Sequence, residues 1–360
     1  MTETATRPAP PASGFHALTV SRVEQLTDDS AAVSFAVPDG VEGFDFAAGQ
    51  SLTLRRVVDG VEHRRTYSIC APVGEQPRIG VREIPGGIFS QWLLREVRPG
   101  DVVEVQTPSG AFRADPGTAA HHLCIAAGSG ITPMLSIAAS VLANPGSTVT
   151  LLYGNRTTST VMFAEELADL KNTYGERFDL VHVLSREPRD VELFSGRLDA
   201  DRLRTICTAL VPLDDIDHVW LCGPLGLIAD ARTVLDELGV AAEKVHFELF
   251  YVDEPPPQLR HLEAAIEGAT SQVTVVLDGR STTNAVRQDQ TLLDSAQEHR
   301  GDLPFACKGG VCGTCRAKVC SGEVDMVRNY ALEPAEVDAG FVLTCQTFPV
   351  GDEVTIDYDA

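Results

Sequence analysis

Cys307-Lys308-Gly309-Gly310-Val311-Cys312-Gly313-Thr314-Cys315 is a C-x4-C-x2-C run, and Cys345 stands alone further along. This is the plant-type spacing for a [2Fe–2S] cluster. One loop must wrap a small cluster and present three thiolates, and the glycines let backbone N–H groups approach sulfur. The fourth ligand then comes from a distant strand. The predicted ligands are Cys307, Cys312, Cys315 and Cys345. A zinc site calls for two CxxC-like pairs or histidines, and only one such pair is present. Cys320 competes with Cys345 for the fourth place. But Ala317–Cys320 reads as strand, and five extended residues run about 16 Å from Cys315, too far for a compact cluster.

Five of the nine cysteines stand at or beyond position 307. With no export signal in view, clustered cysteines read as metal ligands rather than disulfides, and the expected location is the cytoplasm. The first residues, Met1 to Gly14, are rich in Pro, Ala and Thr and read as a mobile tail. Leu123 to Ala143 is uncharged and long enough to span a bilayer. It holds Gly128, Gly130 and Pro133, so a strand, a glycine turn and a helix fit better than a membrane span. The net charge is −22. That excludes nucleic acid, whose binding draws on Lys and Arg, and anionic membrane surfaces.

The chain has 360 residues, with 44% hydrophobic and 22% charged, which predicts a folded protein of two or three domains. Residues 15–118 read as short strands between turns such as Asp59-Gly60 and Pro99-Gly100, with one helix at Ser90–Val97, a small antiparallel barrel or sandwich. Residues 119–252 carry four apolar runs, at Leu123–Ala127, Val149–Tyr153, Leu180–Leu184 and Val219–Cys222, alternating with helices. That is the pattern of a parallel α/β sheet. A linker with Pro255-Pro256-Pro257 is expected at 253–270. Residues 271–360 begin with a strand pair, continue into a helix near Leu292–His299, and hold the cysteine loop.

Several short motifs bear on chemistry. In Arg65-Thr66-Tyr67-Ser68, the Arg can pair with phosphate, the ring can cover an isoalloxazine face and the hydroxyl can bond flavin N5. The plain alternative is an exposed Arg and a packed Tyr. Gly86-Gly87-Ile88-Phe89-Ser90 feeds a helix N-terminus, a ready site for pyrophosphate; the alternative is a turn with Ser90 as N-cap. In Gly128-Ser129-Gly130-Ile131-Thr132-Pro133, Thr132 suits N-cap and Pro133 the first helical position, again a phosphate site. The third glycine of the dinucleotide fingerprint is missing. Cys222-Gly223-Pro224 ends a parallel strand, where ligands of open α/β sheets bind, so its thiol can touch a nicotinamide. Ser185-Arg186 suits a ribose 2′-phosphate and leans to NADPH, with NADH possible because Glu187 is adjacent.

In this order the motifs resemble the ferredoxin–NADP⁺ reductase superfamily in its form with a C-terminal plant-type ferredoxin domain. Arg65–Cys70, Ala126–Met134, Leu152–Thr157, Leu303–Cys312 and Asn329–Pro334 leading to Cys345-Gln346 carry a likeness to the reductases of phenylacetyl-CoA epoxidases. The resemblance implies a flavin-binding antiparallel β-barrel, a nucleotide-binding α/β domain and an α+β ferredoxin domain of β-grasp type. It implies FAD held by Arg65, Tyr67 and Ser68, with Gly87 and Ser90 on the pyrophosphate. It places the nicotinamide nucleotide on Gly128, Gly130 and Thr132, with Cys222 and Gly223 facing the nicotinamide. Phe247-Glu248-Leu249-Phe250 matches the family's acid-plus-aromatic segment beside the flavin, with Glu248 catalytic alongside Ser68 and Cys222. Arg197 is a further candidate for the nucleotide site.

The implied route runs from NADPH to FAD, to the cluster, and on to an oxygenase component with a di-iron centre. A Rieske hydroxylase is the alternative partner. A redox sensor without turnover is the distant one, and the full set of nucleotide signals counts against it. The rim cations Lys308, Arg316 and Lys318 offer a docking spot for the partner; ordinary solvated side chains are the competing reading.

Overall fold

The computed structural model describes residues 14–251, 270–300, 302–305, 307–332 and 334–360. The expected tail (but for Gly14) and the expected proline linker (but for Thr270) lie outside the described residues.

Short β-rich runs between turns build the first sheet. It contains β1 (Phe15–Thr27), β2 (Ser30–Ala36), β3 (Ser51–Val58), β4 (Val61–Ser68), β5 (Arg78–Arg82) and β6 (Val102–Gln106), in the order β4-β3-β6-β1-β2-β5. An antiparallel bridge from Ile69 to Ile79 brings the two edges together, so the sheet closes as a barrel. Leu18, Val33, Phe35, Leu52, Leu54 and Val105 fill it. The helix α1 (Ile88–Arg95) buries Phe89 and Leu93 in the same cluster.

The second sheet is fully parallel. Its strands are β7 (His121–Ala127), β8 (Thr148–Asn155), β9 (Phe178–Leu184), β10 (His218–Pro224) and β11 (Val245–Tyr251), in the order β11-β10-β7-β8-β9. Four helices cross over it: α2 (Ile131–Val141), α3 (Ala164–Tyr174), α4 (Ala200–Leu210) and α5 (Leu225–Glu237). The strand order reverses between β7 and β10, which opens a crevice at their carboxyl ends. Two elements go beyond the sequence reading. One is α4, with Leu203, Ile206, Cys207 and Leu210 at helical spacing. The other is β11, an edge strand whose His246 and Glu248 break the apolar run that marks a central parallel strand.

The third sheet is mixed: β12 (Thr270–Leu277), β13 (Arg280–Arg287), β14 (Arg316–Met326), β15 (Phe341–Leu343) and β16 (Thr347–Asp357), in the order β13-β12-β16-β14-β15. Only β12 and β16 pair in parallel. Across the sheet packs α6 (Leu292–Gln297), its Thr291 hydroxyl accepting from the Asp294 N–H at 3.1 Å as N-cap. The cysteine loop joins α6 to β14, and Cys320 lies in β14 as an exposed strand residue.

The first two units share one dry interface. Ala32, Ala48, Cys70 and Phe112 of the barrel pack in the same buried cluster as Ile131, Met134 and Trp220.

Two helix starts differ from expectation. α1 begins two residues before Ser90, with Gly87 at the N-cap position. α2 has Gly130 at its N-cap, not Thr132. The reason is the glycine turn itself: residues 128–130 already coil as one 3-10 turn and run straight into the helix.

Candidate functional site

Four chain segments meet at the carboxyl ends of the parallel strands. β10 delivers Cys222 and Gly223, whose register partners on β11 are Glu248 and Leu249, and β7 places Ala126 opposite Cys222. β4 ends on Ser68, and the Ser68 hydroxyl donates to the Glu248 carboxylate at 3.1 Å, joining the barrel to the parallel sheet. Burial pushes the Glu248 carboxyl up to about 7, and the hydrogen bond from Ser68 offsets part of the rise. Cys222 is wholly buried. Burial, then the Glu248 carboxylate, push its thiol well above the usual range, so it stays protonated. The group here that can take up and release a proton near neutral pH is therefore Glu248.

The glycine turn after β7 sits tight against β10. A Cβ on Gly130 would lie 2.1 Å from the Cys222 carbonyl oxygen, so no larger residue fits. Gly128 holds φ +56, in the left-handed region. The Tyr153 hydroxyl, from β8, donates to the Gly128 carbonyl at 2.9 Å. The hydroxyl of the wholly buried Thr132 donates to the Ser129 carbonyl at 2.8 Å, so it fixes the turn's shape from inside. Arg82 of the barrel reaches the same turn: a Cβ on Gly128 would lie 3.0 Å from its guanidinium. Tyr153 and Arg82 were not expected here. For Tyr153 the only signal was its place in the Leu152–Thr157 motif; Arg82 reads as an ordinary strand residue.

The other expected residues fall as follows. Arg65 is exposed, donating to the Arg64 carbonyl at 2.6 Å, and Tyr67 is half-buried against the barrel core. Ser90 is buried, and its hydroxyl accepts from the Ile84 N–H at 3.0 Å. Its hydrogen bond closes the loop that presents Gly87 and the start of α1. Phe250 is half-buried beside the shared interface cluster. Ser185 is half-buried and Arg186 exposed; their N–H groups donate to Asn155 and Arg156 carbonyls at 2.9 and 2.8 Å. The Glu187 carboxylate accepts from the Thr158 N–H and hydroxyl, both at 2.7 Å. Arg197 is exposed. The Asn155 amide is buried at the end of β8 and makes no well-formed hydrogen bond, although it approaches the Tyr153 hydroxyl. An orphaned amide at a strand end, beside a glycine turn that excludes side chains, fits a bound dinucleotide.

The cysteine loop gathers its thiols. Cys307 interacts through sulfur with Cys312 and Cys345, and Cys345 with Cys315. The Gly309 N–H points at the Cys307 sulfur at 3.3 Å. The neighbouring thiols and this N–H stabilise a thiolate at Cys307, whose pKa falls well below the usual range. Among the described residues no three such side chains converge on a single ion site. The four thiols are linked through Cys307 and Cys345 into one set, and a set of four cysteine sulfurs fits a [2Fe–2S] cluster. The loop and the segments around it touch both other units. Val311 and Tyr330 pack against the apolar cluster of the nucleotide unit, and Arg64 of β4 donates to the Leu303 carbonyl at 3.1 Å.

Comparison with known proteins agrees with this layout. The family models for an oxidoreductase FAD-binding domain, an oxidoreductase NAD-binding domain and a 2Fe-2S iron-sulfur cluster binding domain match residues 17–114, 124–233 and 275–350. The chain is 41% identical to a component of the 1,2-phenylacetyl-CoA epoxidase of Escherichia coli (strain K12), over 96% of this chain and 98% of that protein. It is 34% identical to the ferredoxin reductase component of 3-ketosteroid-9-alpha-monooxygenase of Rhodococcus rhodochrous, over 95% of this chain and 96% of that one. The solved structure of phthalate dioxygenase reductase superposes with a TM-score of 0.61 at 25% identity, covering 96% of this chain and 98% of that chain. No helix among the described residues is long and apolar enough to cross a membrane.

Proposed function

The chain belongs to the oxygenase reductases of the ferredoxin–NADP⁺ reductase superfamily with a C-terminal 2Fe-2S domain, and from that premise we propose that it feeds electrons from NADPH to a di-iron epoxidase acting on phenylacetyl-CoA. The observation that carries the partner is the 41% identity, nearly end to end, with a component of such an epoxidase.

FAD, when bound, takes a hydride from NAD(P)H, and a [2Fe–2S] cluster, when bound, accepts electrons one at a time. The chain's own residues bind, orient and protect. Arg65 and Tyr67, with the loop at Gly87, would hold FAD, and the Ser90 hydroxyl keeps that loop in shape. Gly128 and Gly130 give a nucleotide close access to the strand ends, with Thr132 and Tyr153 bracing the turn. Ser68 and Glu248 share one hydrogen bond, so Glu248 holds or releases a proton beside the flavin site. Cys222 keeps its proton and packs as a neutral side chain wholly buried behind the crevice. Phe250 backs the same wall, and Gly223 lets β10 turn out of it. Cys307, Cys312, Cys315 and Cys345 would ligate the cluster. Reduced thiols and a pyridine nucleotide supply both belong to the cytoplasm.

The preference for NADPH rests on Ser185 and the exposed Arg186 at the end of β9, with Glu187 engaged by Thr158. A guanidinium suits a 2′-phosphate, and the neighbouring Glu187 carboxylate is already engaged by the Thr158 N–H and hydroxyl. Flavin reduction should run faster with NADPH than with NADH; an NADH preference overturns this part.

The test of the partner is oxygenation. Ring-epoxidised phenylacetyl-CoA should form only when this protein, NADPH and the epoxidase components are all present. No product, with cytochrome c still reduced by NADPH, would reassign the protein to another oxygenase.

A further inference from the structure

We propose that Arg64 is a positioning residue that docks the root of the cluster loop onto the flavin-binding strand, and so sets the path for electrons between the two sites. The proposal rests on the reductase reading above.

An Arg is rarely fully buried unless paired. Arg64 has only 4% of its side chain exposed, and its guanidinium is engaged on several sides. Nε and Nη2 meet Glu62 Oε1 at 2.7 and 2.6 Å. Nη1 donates to the Leu303 carbonyl at 3.1 Å. The flat face lies 4.4 Å from the centre of the Phe305 ring and 5.0 Å from that of Phe15. Glu62 is itself held by Arg55 at 2.6 Å, and Arg55 by Glu104 at 2.6 Å, so the guanidinium has a fixed anchor in the barrel.

What Arg64 grips is the ferredoxin unit. Leu303 and Phe305 are buried members of that unit's own core, with Cys315 and Cys345. Phe305 stands two positions before Cys307. A grip there reaches the cluster loop through packed side chains, not through a loose tether. The planar, five-donor guanidinium suits this double duty: its edge bonds a carboxylate and a carbonyl while its face stacks on aromatic rings.

The same strand serves both neighbours. Arg64 reaches the cluster loop, and Ser68, also buried, reaches Glu248 of the nucleotide unit. The two lie about 13 Å apart along an extended strand, with the flavin residues Arg65 and Tyr67 between them. Each hydride brings two electrons and each oxidised cluster takes one, so this contact is crossed twice per NAD(P)H.

The experiment compares Arg64→Met, Arg64→Lys and Phe305→Leu with the unaltered holoprotein in rapid-mixing spectroscopy. In Arg64→Met, flavin bleaching by NADPH should stay within twofold, the oxidised cluster's spectrum should be unchanged, and cluster reduction should slow at least tenfold. Arg64→Lys and Phe305→Leu should fall between, because each keeps part of the grip. Small-angle scattering on the same variants should show a larger radius of gyration for Arg64→Met. Unchanged cluster reduction with unchanged scattering overturns the proposal, as does an equal fall in flavin bleaching, which marks a general folding role. If the unaltered protein shows no bleaching with NADPH or NADH, the reductase reading falls, and scattering still decides the docking role.

Discussion

At the carboxyl end of the parallel sheet, Cys222 and Glu248 border a turn of glycines and a hydroxyl from another unit. At the amino end, His122, His218 and His246 stand on neighbouring strands; His122 and His246 stack with Trp220 and His218 lies tilted to it, and the indole N–H donates to His122 Nδ1 at 3.1 Å. Both ends displace titration. Glu248 is pushed up to about 7, and His122 down to about 4, first by burial and then by the charges of the neighbouring histidines. Yet the amino end is filled: His122 and Trp220 are buried, and Phe112 of the barrel packs edge-on against Trp220 with ring centres 5.2 Å apart. The carboxyl end has glycines where side chains would otherwise block a ligand. A shifted pKa reports burial; a site also needs room.

The most severe break of this contrast is at Gly130. A Val there drives atoms into the Cys222 carbonyl. Nucleotide-driven flavin reduction should fall ~100-fold or more, in line with a backbone clash of about 3 kcal/mol. Gly226→Ala, with open space around it, should leave the rate unchanged. Circular dichroism separates a lost site from a lost fold.

Glu248→Gln comes next. It removes the proton-carrying group but keeps the shape, and flavin reduction should drop ~10–100-fold. The wild-type rate should inflect near pH 7 and the variant's should not. Ser68→Ala, which removes only the hydrogen bond, should cost about fivefold, or ~1 kcal/mol.

The histidine end should answer in stability, not in rate. His122 titrates near 6.5 when unfolded and about 4 when folded, so the unfolded chain binds more protons between these values. His121, Asp217, His218 and His246 face it. Its contribution is therefore complete above pH 6.5 and is lost as the pH falls toward 4, up to about 3 kcal/mol. Urea unfolding of wild type and His122→Gln should show a stability gap that narrows through this window. A gap that stays constant removes the titration from the account.

The smallest effect belongs to the cluster rim. Lys308 is paired with Asp294 at 2.7 Å and Arg316 with Glu336 at 2.9 Å, and Lys318 sits 5.7 Å from the centre of the Phe341 ring. Two of the three expected docking charges are thus matched by acids of the same unit. Reversing Lys318 to Glu should slow electron delivery to the oxygenase by under about threefold at low salt, since exposed pairs contribute little.

Much of the site was legible before folding. The cluster motif reads from spacing, because one loop carries three closely spaced thiols, and the fold brings Cys345 to them. The glycine turn reads from its place after an apolar run. Thr132 and Ser90 were harder. A hydroxyl near a helix start reads as a cap, but here each bonds a carbonyl or N–H of the preceding turn instead. The edge strand β11 was legible only through the family likeness of Phe247–Phe250, since its polar residues disguise a parallel strand.

Three units, their order, the cluster motif and the glycine turns follow from the residues alone, because these depend on neighbours a few positions apart. It took the folded chain to bring together the distant groups that share a proton or a charge. Ser68 meets Glu248 across 180 residues, and Arg64 meets Leu303 across 239. Nothing local distinguishes a strand Arg that will be buried from one that will be solvated. Glu62 lies two residues away on the same strand; the difference is made by Phe15, Leu303 and Phe305 arriving around it, since a buried charge is tolerated only where such partners come together.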